Sequence, residues 1–329
     1  MSHTATHSNS AADPLGYDRP LPLRSRYYPM GFPLDVATNS EHILAAADRI
    51  WAQFPATQHG PAARLHVVVE SRDAEVPLTP SIPQGRNHLV SIVHGPDNFA
   101  VCDLAGSFTF ACLTRDVVRD REYVLYHFLE PTGYLMIDAL HLSPLHASCA
   151  AIHGRAVVMY GDSGAGKTSL AYACARRGWT YLSDDATHIV RGRSDHAVVG
   201  RPFRIRFRES ARLLFPELNR FVPERRPNGK LDIEVETGDL GLSVALESHA
   251  THLVFLNRRN EPADARVEPV ARSEAARRLA TLTCYGDEGI RSEQRRALAD
   301  FLHLPIVRLT YSDPDGAECA LRALVEGSI

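Results

Sequence analysis

The chain of 329 residues lacks any run approaching the ~18–20 apolar residues that a membrane-spanning helix needs. Residues 1–16 are polar and lack the apolar stretch of a secretory signal, so we expect no signal peptide. The net charge is only −3 with the 16 histidines counted as neutral, which favours neither nucleic acid nor an anionic membrane as a partner. These absences together predict a soluble, cytoplasmic protein.

Cysteine is scarce and shows no C-x-x-C spacing, so the pattern predicts neither a metal site nor a redox pair. Most of the cysteines have apolar neighbours, which is typical of small buried side chains in a reducing compartment. They are Cys102, Cys112, Cys149, Cys174, Cys284 and Cys319.

The composition is ordinary for a globular protein, with 44% hydrophobic and 23% charged residues. Residues 1–24 are polar and aperiodic, which predicts a disordered or loosely draped tail. For residues 25–142 we expect a small α+β region, with an edge strand near 27–34, a helix over 41–54 and one antiparallel sheet. This region could dock a substrate or partner. A second region, 143–329, contains the chemical motifs.

The strongest motif is a G-x-x-x-x-G-K-[ST] loop, whose glycines let backbone N–H groups approach a phosphate chain. The N-terminus of the helix that follows adds unpaired donors and a positive dipole end. Lys167 supplies a charge for the β and γ phosphates, and the hydroxyl of Thr168 suits Mg²⁺. The predicted nucleotide-binding residues are Gly161, Asp162, Ser163, Gly164, Ala165, Gly166, Lys167, Thr168 and Ser169.

A glycine-rich turn can match this motif by chance. The local context argues against chance, because an apolar strand over 157–160 precedes the loop and an amphipathic helix over 168–177 follows it. Gly178 provides a suitable end for that helix. The sequence therefore predicts binding of a nucleoside triphosphate. ATP is the expected donor. Because no pattern identifies a site for the nucleotide base, GTP or pyrophosphate stays open.

Two adjacent carboxylates, Asp184 and Asp185, follow a short strand over 180–182. Phosphoryl transfer needs a metal that neutralises phosphate charge and a group that orients or deprotonates the attacking hydroxyl. Adjacent carboxylates can divide those two tasks. The alternative is an ordinary Asp-Asp turn at a strand end.

Loop residues 161–167, the pair Asp184 and Asp185, and the upstream His146 together resemble HPr kinase/phosphorylase, a bacterial protein-serine kinase. The serine-glutamate that usually follows the lysine is absent, and the N-terminal half differs. The chain is therefore similar to the broader HPr-kinase-related group, which includes the lasso-peptide tailoring kinases.

The resemblance implies the phosphoenolpyruvate-carboxykinase-like fold for residues 143–329, an α/β (α+β) class rather than a doubly wound sheet. It also implies that Asp184 accepts the substrate proton and that Asp185 helps to hold Mg²⁺ or position Lys167. His146 would be catalytic with them, although a lone histidine is often structural and His153 competes for the role.

These implications predict an ATP- and Mg²⁺-dependent kinase that phosphorylates a serine or threonine of a peptide or protein. A kinase for a free amino acid or sugar, and a non-catalytic nucleotide-gated assembly protein, remain alternatives. HPr kinases form hexamers, which leaves a homo-oligomer open here.

Two basic segments are candidates for further phosphate contacts. Residues 203–208 alternate aromatic or aliphatic residues with arginines, so Arg204, Arg206 and Arg208 would share one face of a strand. That face could bind phosphate or an acidic acceptor, or simply be solvated. The loop 225–230 could reach the phosphates or lie on the surface. Arg206 and Lys230 are the favoured candidates.

Overall fold

The computed structural model describes residues 19–71, 83–226, 229–280 and 285–328. The strands of these residues form three sheets with seven, nine and three members, and helices pack against them. The protein is therefore a mixed α/β structure with several sheets, which agrees with the coarse α/β (α+β) class that the resemblance implies.

The first sheet has the strand order β1-β2-β3-β7-β6-β5-β4. The expectation of one antiparallel sheet is wrong, because β2, β3 and β7 run parallel to one another. Helix α1 (Glu41–Trp51) connects β2 to β3, and such a crossover returns the chain in the same direction. The strands are β1 (Leu23–Tyr27), β2 (Leu34–Thr38), β3 (Ala63–Glu70), β4 (Gln84–Arg86), β5 (Leu89–His94), β6 (Asn98–Asp103) and β7 (Phe108–Thr114).

The helical stretch after β7 covers one face of this sheet and leads into the second sheet. It consists of α2 (Arg115–Arg119), α3 (Arg121–Val124), a π-helical turn (Leu125–Leu129) and α4 (Glu130–Leu140). A Cβ atom at Gly133 would lie 2.5 Å from the ring of Trp51. Glycine there lets α4 approach the fully buried Trp51 of α1 closely.

The second sheet has the order β11-β9-β10-β17-β13-β12-β8, and β19 pairs with β17 and β18. Strand β10 pairs antiparallel with β9 and parallel with β17, which also pairs parallel with β19. The C-terminal strands are β8 (Leu142–Leu145), β9 (Ala147–Ile152), β10 (Arg155–Tyr160), β11 (Thr180–Ser183), β12 (Thr187–Val190), β13 (Ala197–Val199), β14 (Arg204–Arg208), β15 (Glu224–Arg225), β16 (Leu231–Glu236), β17 (Glu247–Arg258), β18 (Arg266–Pro269) and β19 (Ile306–Tyr311).

The third sheet, β14-β16-β15, is small and antiparallel. Helix α5 packs between the second sheet and this one, with Tyr172 against the rings of Phe207 and Phe215. The remaining helices are α5 (Lys167–Arg176), α6 (Arg272–Leu279), α7 (Glu288–Phe301) and α8 (Pro314–Glu326), with 3₁₀ turns at Glu209–Leu213, Pro216–Arg220 and Thr237–Leu240.

Three boundaries differ from the sequence expectation. Strand β1 begins at Leu23, inside the expected tail 1–24, of which residues 1–18 lie outside the described residues. The edge strand expected over 27–34 is wrong, because Pro29–Gly31 forms a 3₁₀ turn between β1 and β2. Strand β14 begins at Arg204 rather than at residue 203, and Gly200 and Pro202, which interrupt strands, separate it from β13. The expected division at residue 142 stays a prediction.

Four of the five described cysteines are buried, as their apolar neighbours predict, while Cys319 is exposed. Cys284 lies outside the described residues. No helix among the described residues is both long and apolar enough to cross a membrane.

Two buried histidines face each other between β5 and the π-helical turn. The rings of His94 and His127 have centroids 4.5 Å apart, and Tyr123 contacts Nδ1 of His94 at 2.7 Å. Within the described chain, the Nε2 atoms of both histidines have no hydrogen-bond partner. Burial lowers the pKa of His94. Burial, together with the nearby His94, lowers the pKa of His127 to about 4.

We predict that His127 makes the fold acid-sensitive. An unfolded histidine takes up its proton near pH 6.5, whereas folded His127 resists it until about pH 4. Stability is therefore lost as the pH falls through this window. His127→Gln should lose less stability across it than wild type in urea unfolding. His42→Gln, at an exposed site on α1, is the control; equal acid slopes in wild type and His127→Gln would contradict the prediction.

Candidate functional site

The candidate site lies at one edge of the second sheet, where three parallel strands end together. Because β10, β17 and β19 are mutually parallel neighbours, their carboxyl ends meet at the same edge. The glycine-rich loop leaves β10 here and enters α5. Tyr311, at the end of β19, donates a hydrogen bond from its hydroxyl to the carbonyl of Ala165 at 2.7 Å, which fixes the loop against the sheet.

The loop backbone requires glycine at specific positions. Gly164 and Gly166 have φ values of +89° and +93°, in the left-handed region that other residues rarely adopt. Gly166 is the residue before the first turn of α5, so the free N–H groups of that turn face the loop. A Cβ at Gly161 would come within 2.8 Å of the Cβ of Ala165. The geometry is that of an anion-binding helix N-terminus.

Lys167 connects the loop to the paired carboxylates. Its ammonium donates to the carbonyl of Gly161 at 2.7 Å and lies 3.6 Å from Oδ1 of Asp185. Only 7% of the Lys167 side chain is exposed, whereas Asp185 is half exposed. Nε2 of His146 lies 3.3 Å from the same carboxylate oxygen. The structure thus brings together three of the residues that the sequence analysis selected, while the competing His153 lies in the turn between β9 and β10.

Asp184 occupies a different environment from its neighbour. One of its carboxylate oxygens, Oδ2, accepts a hydrogen bond of 3.0 Å from the backbone N–H of Arg206. Burial raises the pKa of Asp184, and the nearby Asp185 adds to this, while the Arg206 N–H and the guanidinium of Arg201 oppose it. A carboxyl with a raised pKa is suited to exchanging a proton. The two carboxylates therefore have separate partners and distinct electrostatics.

A cavity of about 700 Å³ lies over these groups, within the roughly 300–1,000 Å³ usual for ligand pockets. All the predicted loop residues except Gly161 and Ala165 line it, together with His146, Asp184 and Asp185.

The N-terminal region supplies part of the cavity wall, which the sequence analysis missed. The end of α1 and one face of the helix around α4 line the cavity. Glu130 of α4 reaches the guanidinium of Arg206 at 3.5 Å and that of Arg201 at 4.0 Å. The only sequence signal was the helical spacing of the residues on that face, which does not reveal the partner. The wall residues are Ile50, Gln53, Phe54, Tyr126, Glu130 and Tyr134.

The arginine face of β14 also lines the cavity. The favoured candidate Arg206 is tied into ion pairs, with its Nε 2.7 Å from Glu234 and a further contact to Glu130. Lys230 lines the cavity as well, while residues 227 and 228 of the loop 225–230 lie outside the described residues.

The donor set fits a magnesium nucleotide. The described residues contain no group of three His, Cys, Asp or Glu side chains placed to hold a metal. Mg²⁺ in phosphoryl-transfer sites is typically bound by one or two carboxylates and by substrate phosphates, rather than by a protein cage. Asp185 and the hydroxyl of Thr168 both line the cavity beside the loop, so oxygen ligands of the right kind are available.

Comparison with known proteins adds little to this geometry. No protein-family model matches the chain, and no curated protein matches it. Among solved structures, the Hpr(Ser) kinase/phosphatase from Coxiella burnetii aligns with 56% of this chain and 92% of its own, at 13% identity and a TM-score of 0.29. With so low a TM-score, nothing about this chain is inferred from that protein.

We predict that Gly166→Ala destabilises the protein by more than backbone strain alone. Alanine at φ +93° costs about 1–2 kcal/mol, and its Cβ would also lie 2.5 Å from the hydroxyl of Tyr311. The matched control is Gly178→Ala at the other end of α5, where φ is +88° and nothing lies within 4 Å of the added Cβ. Chemical denaturation should show the larger loss for Gly166→Ala.

The added clash can be isolated with Tyr311→Phe, which removes the obstructing hydroxyl. The double variant Gly166→Ala/Tyr311→Phe should be more stable than the sum of the single effects implies. Additive losses, or equal losses at Gly166 and Gly178, would refute the contact.

Proposed function

We propose that this protein is an ATP- and Mg²⁺-dependent kinase that transfers the γ-phosphoryl group to a hydroxyl, most simply that of a serine or threonine in a peptide or protein. The observation that carries the proposal is the placement of Asp184 and Asp185 in one cavity with the glycine-rich loop 161–168, which we call the phosphate loop. Asp185 lies 3.6 Å from the Lys167 ammonium, and the partly buried Asp184 beside it accepts a hydrogen bond from the backbone N–H of Arg206. A site that only bound nucleotide would not need both carboxylates.

The fold we propose for residues 143–329 is the phosphoenolpyruvate-carboxykinase-like fold of HPr-kinase-related proteins. Support comes from the motif resemblance over His146, the loop and the aspartate pair. It also comes from the mixed sheet, in which the loop strand β10 has an antiparallel neighbour on one side and a parallel one on the other.

In the proposed mechanism, each of the chain's groups has one task. Asp184 accepts the proton of the acceptor hydroxyl as that oxygen forms a bond to the γ phosphorus. The bond from the γ phosphorus to the β–γ bridging oxygen breaks, and ADP leaves with that electron pair. Lys167 and the N–H groups of the first turn of α5 offset the charge on the phosphates. His146, at 3.3 Å, orients the carboxylate of Asp185.

Thr168 and Asp185 are the residues that would hold Mg²⁺. The ion supplies charge neutralisation and alignment of the β and γ phosphate oxygens when it is bound. Asp185 also lies near Lys167, so its carboxylate can balance the ammonium.

One exposed leucine at the edge of the cavity favours a peptide or protein acceptor over a free amino acid or sugar. Leu213 lines the cavity yet is 88% exposed. An acceptor confined to the cavity would leave this side chain in water, whereas a chain that extends past the rim could cover it. The N-terminal wall, with Phe54 and Tyr126, would contact the residues that flank the acceptor hydroxyl.

We predict that Asp184→Asn retains ATP binding but loses transfer, because the amide cannot accept the proton. Lys167→Ala should weaken both, since the ammonium serves the bound phosphates in the ground state and during transfer. Calorimetric titration of Mg²⁺-ATP measures binding, and radiolabelled ATP with peptides encoded beside the gene measures transfer. Full transfer by Asp184→Asn would remove its assignment as the base.

The same assay separates the acceptor classes. Label on a peptide serine or threonine supports the proposal. Label on a free amino acid or sugar assigns the small-molecule kinase, and ATP binding without label on any acceptor favours the nucleotide-gated assembly protein. Absence of ATP binding by wild type would contradict the nucleotide site itself.

We predict an acid limb in the pH dependence of transfer that reflects Asp184. The raised pKa of this carboxyl means that its base form is lost at a pH above the ordinary aspartate value of about 3.9. The rate should therefore fall, as the pH is lowered, at a higher pH than that value. His146→Gln should lower the rate without moving the limb; a limb that disappears in this variant would assign the titration to His146 instead.

A further inference from the structure

Strands β14 and β16 bring arginines and carboxylates face to face in register. Arg204 lies opposite Glu236, Arg206 opposite Glu234, and Arg208 opposite Asp232. Directly opposed residues of an antiparallel pair share one face of the sheet, so each pair can form an ion pair. The first two do: Arg204 reaches Glu236 at 2.8 Å and Arg206 reaches Glu234 at 2.7 Å.

The third pair departs from this pattern. Across the described ranges, no ion pair joins Arg208 to Asp232. The Arg208 guanidinium instead donates to the hydroxyl of Ser163 in the phosphate loop at 2.8 Å. Its side chain is exposed and lines the cavity. Arg208 therefore extends from the third sheet to the phosphate loop, although a carboxylate stands opposite it in the ladder.

The contact with Ser163 leaves most of the guanidinium available. Arginine carries five N–H donors in a planar fork, and Ser163 accepts from one nitrogen. The remaining donors suit two oxygens of one phosphate group, the geometry in which arginine binds phosphate best. The neighbouring Arg204 and Arg206 cannot serve in the same way, because carboxylates already occupy them.

The position of Arg208 along β14 indicates which phosphate it would meet. The backbone N–H of Arg206 holds Asp184, the proposed base. Arg208 lies two residues further along the same strand, about 7 Å away by strand geometry. One short strand therefore sets the backbone spacing between Arg208 and the residue that holds the base. The transferring phosphorus has to lie near the base, so among the nucleotide phosphates the γ-phosphate is the one nearest to this strand. Phosphates closer to the nucleoside lie further from Asp184.

We propose that Arg208 binds the γ-phosphate of the nucleotide and stabilises the charge that spreads over its oxygens during transfer. This rests on the proposed kinase function and adds a phosphate-binding residue from the third sheet, outside the loop motif. Under this proposal Arg206, the candidate favoured from the sequence, serves the fold and Asp184, and Arg208 contacts the phosphate. A cation in this place acts as an arginine finger supplied by the chain itself.

The test compares Mg²⁺-ATP with Mg²⁺-ADP by calorimetric titration of wild type, Arg208→Gln and Arg208→Lys. Loss of a hydrogen-bonded charge pair corresponds to about a ten- to hundredfold loss of affinity. Arg208→Gln should lose this for ATP while its ADP affinity stays within about twofold of wild type. Arg208→Lys keeps the charge but not the planar fork of donors, so its ATP affinity should lie between those of wild type and Arg208→Gln.

The matched control is Arg266→Gln, an exposed arginine of strand β18 that does not line the cavity. Both of its affinities should equal those of wild type, and thermal melting checks that every variant is folded. A purely structural link between the third sheet and the loop would lower ATP and ADP affinity together in Arg208→Gln.

The outcomes separate this inference from the kinase proposal. Equal losses for ATP and ADP, or no loss, overturn the role of Arg208 while wild-type binding and transfer leave the kinase standing. Selective loss of ATP affinity supports Arg208 even where the transfer assay finds no labelled acceptor and the kinase proposal fails. Wild-type protein that binds neither nucleotide overturns both.

Discussion

The parallel pairing of β10 with β17, and of β17 with β19, is the constraint on which the site depends. It places three strand ends at one edge of the sheet, where the loop can turn directly into α5. From the end of β19, the hydroxyl of Tyr311 donates a hydrogen bond to the carbonyl of Ala165 in the loop. Because the loop contains left-handed glycines and no ladder hydrogen bonds of its own, this support determines where its N–H groups point. Phosphate affinity in such a site is therefore a property of the sheet as much as of the motif.

Local patterns predicted the elements with strong periodicity or clear punctuation. The strand expected over 157–160 lies within β10, and the helix expected over 168–177 is α5 to within one residue at each end, since each combines an apolar pattern with turn residues at its end. The parallel arrangement of β2, β3 and β7 was not predictable in the same way. Strand direction depends on how α1 crosses the sheet, and periodicity within a strand contains no information about its neighbour.

In the candidate site too, local patterns predicted the residues, and tertiary packing determined their partners. The motif spacing selected the loop, the aspartate pair and His146. In the structure, the carboxylate of Asp185 lies 3.6 Å from the Lys167 ammonium and 3.3 Å from Nε2 of His146. Alternation over 203–208 correctly placed the arginines on one face, but not their partners. Glu130 and Glu234 come from other elements, and which arginine they occupy is fixed only by tertiary packing. Sequence reasoning thus identified the cations and could not tell a paired one from an available one.

The aspartate pair shows how neighbouring residues acquire different chemistry. The carboxylate of Asp184 is partly buried and accepts a hydrogen bond from a backbone N–H, and that of Asp185 is half exposed between a lysine and a histidine. Burial without a full counter-charge raises the pKa of Asp184. Different surroundings allow two neighbouring carboxylates to take different roles within one site. Since β14 supplies both the N–H that holds Asp184 and the guanidinium that reaches the loop, a displacement of this strand would change the proposed proton transfer and the proposed phosphate binding together.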